Sequence, residues 1–129
     1  MIMNRESLKM TRFINLTNHL KVNILGPDGD LIAIVRENGI KPARIRSHQI
    51  DICDYSGIPI KTTILDGIDN LPDPYPGVVY IVSYLVAVNA NRIDVVSPNQ
   101  FPGEYLSDPR TRDTLMVRSL QAFPTRSVG

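Results

Sequence analysis

From Arg12 onward, apolar positions recur every second residue over most of the chain, the spacing of strands with one buried face. Arg12-Phe13-Ile14-Asn15-Leu16 is the first such segment. Thr17, Asn18 and His19 make a polar corner, and Lys21 to Leu25 resumes extended structure. Gly26-Pro27-Asp28-Gly29-Asp30 is a turn, since Pro presets φ and Gly accepts positive φ. Leu31 to Val35 returns as the partner strand of a hairpin. A polar connection with Asn38-Gly39 leads to Pro42-Ala43-Arg44-Ile45-Arg46. Gln49 to Asp54 follows, with Ile50 and Ile52 spaced as in a half-buried strand. After the turn Tyr55-Ser56-Gly57, Ile58, Ile60, Thr62 and Ile64 alternate with Pro59, Lys61 and Thr63.

The pattern then changes. Asp66 to Gly77 holds Pro72, Pro74 and Pro76, so it is a stiff, non-helical loop. Val78 to Val82 is apolar throughout, as in a central strand covered on both faces. Ser83 is placed to cap a short helix over Tyr84 to Asn91. Ile93 to Val96 reads as a short strand stopped by Ser97-Pro98, and Thr114 to Leu120 as a final strand. Between them, 99–112 is a polar, Pro- and Gly-punctuated loop, long enough to be functional or mobile. Residues 1–11 read as a flexible extension with room for a helical turn, 12–123 as one domain, and 124–129 as a tail. The expected class is mainly β (α+β): a small antiparallel sheet domain with one or two short helices, assembling as a homo-oligomer to enlarge a modest core.

Composition sharpens this picture. The 129 residues carry 14 Lys and Arg against 13 Asp and Glu, a net charge of +1. That balance excludes the basic footprint of a protein that coats long nucleic acid. The basic set is mostly Arg and the acidic set mostly Asp, which disfavours long helices. Arg also suits compact phosphate or carboxylate sites, because its planar fork donates two parallel hydrogen bonds. One cysteine, Cys53, rules out an intramolecular disulfide framework and suits a reducing cytosol. The stretch Val78 to Val88 is too short to span a bilayer, and the N-terminus has no apolar signal-peptide core. These features lead to the expectation of a cytoplasmic protein with no membrane partner.

Tests for chemistry come back mostly empty. His48, Asp51 and Cys53 lie close in sequence, but no Cys or His pair has zinc-site spacing; a polar strand end with a buried Cys is the simpler reading. Asp54 puts a negative charge beside Cys53, where an activated thiolate needs a positive one, and no G-x-S-x-G elbow occurs. Phosphate loops of the glycine-rich kinds are absent. The expectation is therefore a non-enzyme with no cofactor, no metal and no catalytic residue, and any nucleotide must be held by side chains. For phosphate the candidates are Arg44, Arg92 and Arg118, with Arg46 beside the first. Tyr80 and Tyr84 could stack on bases, and Asn91 could read base edges. Each has a plainer alternative. Arg44 and Arg46 could coat one strand face, Arg92 could clamp Asp94, Tyr80 could be core, and Arg118 could make an interface salt bridge. Asn15, Thr17 and His19 read as corner hydrogen bonding.

Phe13-Ile14-Asn15-Leu16-Thr17-Asn18-His19 resembles the opening of a small bacterial and phage protein family that begins I-N-L-T-P-H. The likeness continues through Gly57-Ile58-Pro59-Ile60 and Asn70-Leu71-Pro72-Asp73-Pro74. It extends to Tyr80-Ile81-Val82-Ser83-Tyr84-Leu85-Val86 and Arg92-Ile93-Asp94-Val95-Val96-Ser97-Pro98. It spans about residues 12 to 123, departing at Asn18, where the pattern has Pro, and over 99–112. The pattern is similar to the first-described Thoeris anti-defence family of phage proteins. That resemblance implies a sponge that sequesters an immune signalling nucleotide, a cyclic ADP-ribose isomer or a cyclic oligonucleotide, without cleaving it. It also implies pockets completed by oligomerisation. The competing expectations are a structural or accessory phage protein whose Arg residues serve subunit contacts, and a small nucleotide-processing enzyme.

Overall fold

The computed structural model describes residues 11–106 and 113–123. The expected N-terminal extension (bar Thr11), the C-terminal tail, and Arg110 and Arg112 lie outside that range. In chain order the strands are β1 (Arg12–Asn15), β2 (Lys21–Ile24), β3 (Ala33–Arg36), β4 (Arg44–Tyr55), β5 (Ile58–Asp69) and β6 (Val78–Ile81). The helix α1 (Tyr84–Ala90) is followed by β7 (Val95–Pro98), β8 (Thr114–Val117) and β9 (Leu120–Ala122). The mainly β class holds, with α1 as the helix of the described residues. Strand pairing is finer-grained than one antiparallel sheet. Among the described residues, a first sheet has the order β1-β6-β7-β9, a second β3-β2-β8, and β4 and β5 pair only with each other. The pairs β1–β6, β6–β7 and β2–β8 are parallel.

The body is three layers deep, and β6 explains why. Tyr80 and Val82 pack with Leu16, Val86, Ala87 and Val95 on the helix side. Ile81 packs with Val22, Val35, Val96 and Val117 on the side of the second sheet. A strand covered on both faces needs an unbroken apolar run, which Val78 to Val82 supplies. The β6-α1-β7 connection is then the crossover that a parallel pair requires.

The corner after β1 is tied by Asn15, which is 1% exposed. Its Nδ2 donates to the carbonyls of His19 (3.0 Å) and Val35 (3.2 Å), and its Oδ1 accepts from the Thr17 N–H (2.9 Å) and hydroxyl (2.6 Å). The Thr17 hydroxyl in turn accepts from the His19 N–H at 3.2 Å. The corner reading of these three residues is therefore correct, and the knot also joins the first sheet to β3 of the second.

Several boundaries differ from the sequence reading. The segment 44–55 is one twelve-residue strand, and β5 continues through Asp69, because Arg44 and Ile45 supply partners for Asp69 and Ile68. The proline loop is thus shortened at its start. Ile93 and Asp94 belong to a turn closed by Val95 N–H on the Arg92 carbonyl, and β7 runs on through Pro98, past Val96, its last residue in register with β6. The expected final strand is two strands in different sheets, β8 and β9, with the break at Arg118-Ser119. Cys53 is exposed, not buried, since it sits on the outlying ribbon of β4 and β5. Among the described residues no helix is long and apolar enough to cross a membrane.

Candidate ligand groove

Three shallow depressions adjoin one another at the carboxyl ends of the parallel strands β1, β6 and β7, where open parallel sheets leave room for ligands. The first, about 260 Å³, lies between the Leu16-Thr17-Asn18 corner, Pro42 to Ile45 at the base of β4, and Ser83 to Val86. The second, about 130 Å³, shares Thr17, Asn18 and Ser83 and extends to Tyr84, Gln100 and Tyr105. The third, about 310 Å³, shares Tyr84 and Gln100 and reaches Phe101 and Gln121. Together they reach the size of a small-molecule cleft, about 300–1,000 Å³.

The groove's polar groups have spare hydrogen-bonding capacity. Asp69 is the register partner of Arg44. Its carboxylate instead accepts from Arg46 Nε at 2.9 Å, which leaves the Arg44 guanidinium without a partner among the described residues. Ser83 begins α1 but makes no side-chain capping bond. The side chains of Asn18 and Gln100 likewise carry no hydrogen bond within the described residues. Tyr84 is 43% exposed, and its ring is set by an edge-on contact with Phe123, centroids 5.2 Å apart and planes at 85°. The wall therefore offers an aromatic ring held by its neighbour, a guanidinium with no partner among the described residues, a hydroxyl and two amides. The corner that forms the shared wall is held rigid from behind by Asn15.

Of the six residues expected to contact a ligand, Arg44 lines the first depression and Tyr84 the adjoining second and third. Tyr80 lines none of the three. It is 4% exposed, its hydroxyl donates to the Asp73 carbonyl, and its ring faces the Arg92 guanidinium at 5.9 Å. That buries the face it was expected to offer a base. Arg92 is also consumed. Its Nε and Nη2 fork onto Asp94 at 3.0 and 2.6 Å, and Nη1 donates to the Pro72 carbonyl at 2.8 Å. The shared hydrogen bonds hold the Arg92 pKa above and the Asp94 pKa below their ordinary values. Asn91 closes α1 with positive φ, 54°, the backbone role for which Asn is suited. Both residues sit before β7, at the opposite end of that strand from the groove. Arg118 falls at the β8–β9 break, where Nη1 donates to the Gly26 and Pro27 carbonyls, each at 3.1 Å, and braces the β2–β3 turn.

The residues that sequence reasoning missed are Asn18, Ser83 and Gln100. Ser83 was assigned to capping, Asn18 to the corner, and Gln100 to a loop with no assigned role. The metal-like trio is dispersed: His48 Nδ1 bonds Asp66 at 2.7 Å and Asp51 pairs with Lys61 at 3.1 Å. No cluster of three or more metal-ligating side chains occurs among the described residues. Comparison with protein-family models, with curated proteins and with solved structures gave no match.

Proposed function

We propose that the protein is a binding module that sequesters a small phosphorylated ligand of the signalling-nucleotide class, a cyclic ADP-ribose isomer or a cyclic oligonucleotide, without cleaving it. The observation that carries this reading is that the depression lined by Arg44, whose guanidinium has no partner among the described residues, adjoins across Thr17, Asn18 and Ser83 the depression lined by the half-exposed Tyr84 ring. A guanidinium fork matches a phosphate, and an aromatic ring held by its neighbour takes a base, a contact worth about 1–3 kcal/mol. Ser83, Asn18 and Gln100 supply neutral donors around the two. In this setting the protein acts as a phage anti-defence sponge, holding the messenger of a bacterial immune enzyme in the host cytoplasm.

The test is to incubate the purified chain with a panel of cyclic ADP-ribose isomers and cyclic dinucleotides, then follow both melting temperature and ligand fate. A true ligand at 100 times its Kd stabilises by about 2.7 kcal/mol and is recovered intact after heat denaturation. Recovery of a cleaved product supports the enzyme reading instead. No shift with any phosphorylated ligand leaves the structural-protein reading, in which Arg residues serve subunit contacts.

A further inference from the structure

The β4–β5 ribbon has an apolar face that none of the described residues covers. Near the body, Ile45 and Ile68 are register partners and pack on the core beneath α1. Between Arg46↔Gly67 and Ser47↔Leu65 the register shifts, leaving Asp66 as one extra residue in β5. One extra residue reverses which side chains face which way. Beyond the bulge, Ile64, Thr62, Ile60 and Ile58 therefore turn to the side opposite Ile68. Their register partners His48, Ile50, Cys53 and Tyr55 join them. The other side carries polar pairs that satisfy one another, Asp51 with Lys61 at 3.1 Å and Gln49 with Thr63 at 3.4 Å.

The apolar side is open to solvent: Ile50 is 44% exposed, Ile58 63%, Tyr55 67%, and the bulged Ile52 60%. A two-stranded ribbon is marginal in water by itself, and these twelve-residue strands run ~40 Å. The alternation that predicts a half-buried strand is present, yet the described residues supply no surface to bury it.

We infer that this face packs against the same face of a second copy of the chain, related by a two-fold axis. A two-fold contact needs a surface complementary to itself. A stripe that runs from Ile50 and Ile64 to Tyr55 and Ile58 without a formally charged residue meets that need. The His48–Asp66 pair lies at the body end of this face, beyond Ile50, and the copies carry a net charge of only +1 each. On the order of 500 Å² of side chain is exposed on that face, so two copies remove about 1,000 Å² from water, the lower bound of a specific interface. A patch of that size is about the largest that a typical monomer exposes, and such patches are often functional. The inference is independent of the groove.

Sedimentation of the full chain from about 1 to 100 µM, the range in which mass action shows, tests it. The wild type is expected as a dimer or an assembly of dimers. Ile58→Asp and Ile50→Asp are expected to raise the dimer Kd at least ~10-fold. Thr63→Asp, on the polar side, is expected to leave it unchanged. Circular dichroism and the melting curve check that each variant keeps the folded body. A wild type that stays monomeric over the whole range overturns the inference, as does an assembly that both apolar-face variants leave intact.

Discussion

The two ends of β7 use similar residue types to opposite effect. At the amino end, Arg92, Asp94, Tyr80 and the Pro72 carbonyl satisfy one another, so the guanidinium has little left to offer a ligand. At the carboxyl end, Arg44, Ser83, Asn18 and Gln100 line adjoining depressions, and no described residue uses their side-chain hydrogen-bonding capacity. Arginine beside tyrosine therefore does not by itself mark a binding site. What separates the ends is whether the fold has already used the donors.

That contrast can be broken from behind the groove. Asn15→Leu removes four hydrogen bonds from a side chain that is 1% exposed. Buried groups left unpaired cost about 1–3 kcal/mol each, so urea unfolding should show a loss of about 3 kcal/mol or more. The corner shared by the first two depressions should loosen with it.

The amino end predicts the next largest effect. Arg92→Met leaves Asp94 four-fifths covered with no cation, its side chain being 19% exposed. The expected loss is about 2 kcal/mol, below the full cost of breaking a buried pair, with the groove intact. The same pair sets a pH dependence. The Asp94 pKa is lowered in the fold, chiefly by its hydrogen bond from Arg92. Its contribution is thus fully present above the ordinary carboxylate range and is lost as pH falls through the lowered folded value. Arg92 stays charged throughout. Asp94→Asn should therefore reduce the wild type's loss of stability between neutral pH and about pH 3. An unchanged acid profile contradicts the assignment.

The smallest stability effects come from the two remaining arginines. Arg118→Ala removes a partly exposed charged donor from the β2–β3 turn, with an expected cost of about 1 kcal/mol. Arg44→Ala touches no partner among the described residues and should stay within about 0.5 kcal/mol of wild type. A large destabilisation by Arg44→Ala would mean that the carboxyl end is also structurally spent.

Much of the scaffold was legible in the sequence. The apolar run at Val78 to Val82 marked a strand buried on both sides, and the Asn15-Thr17-His19 corner was readable from side chains that bond local backbone. The β8–β9 break was not. A continuous run from Thr114 to Leu120 gives no local sign that the chain leaves one sheet for another at Arg118. The groove was half legible: Arg44 and Tyr84 were named from chemistry. Ser83, Asn18 and Gln100 were not, because three separate strand ends bring them together. Nor could periodicity foretell the ribbon. It marked Ile58, Ile60 and Ile64 as facing one way, while the bulge at Asp66 decides that this way is outward.

The most direct measurement is calorimetric titration of wild type, Arg44→Ala and Arg92→Met with the nucleotide from the panel that most raises the melting temperature. If the carboxyl-end groove is the site, Arg44→Ala weakens binding by about tenfold or more, the scale of one charged hydrogen-bonded contact. Arg92→Met, though less stable, then binds as the wild type does at a temperature where both are folded. The reverse order, with Arg44→Ala unaffected and Arg92→Met unable to bind, would contradict the account and place the ligand at the amino end of β7.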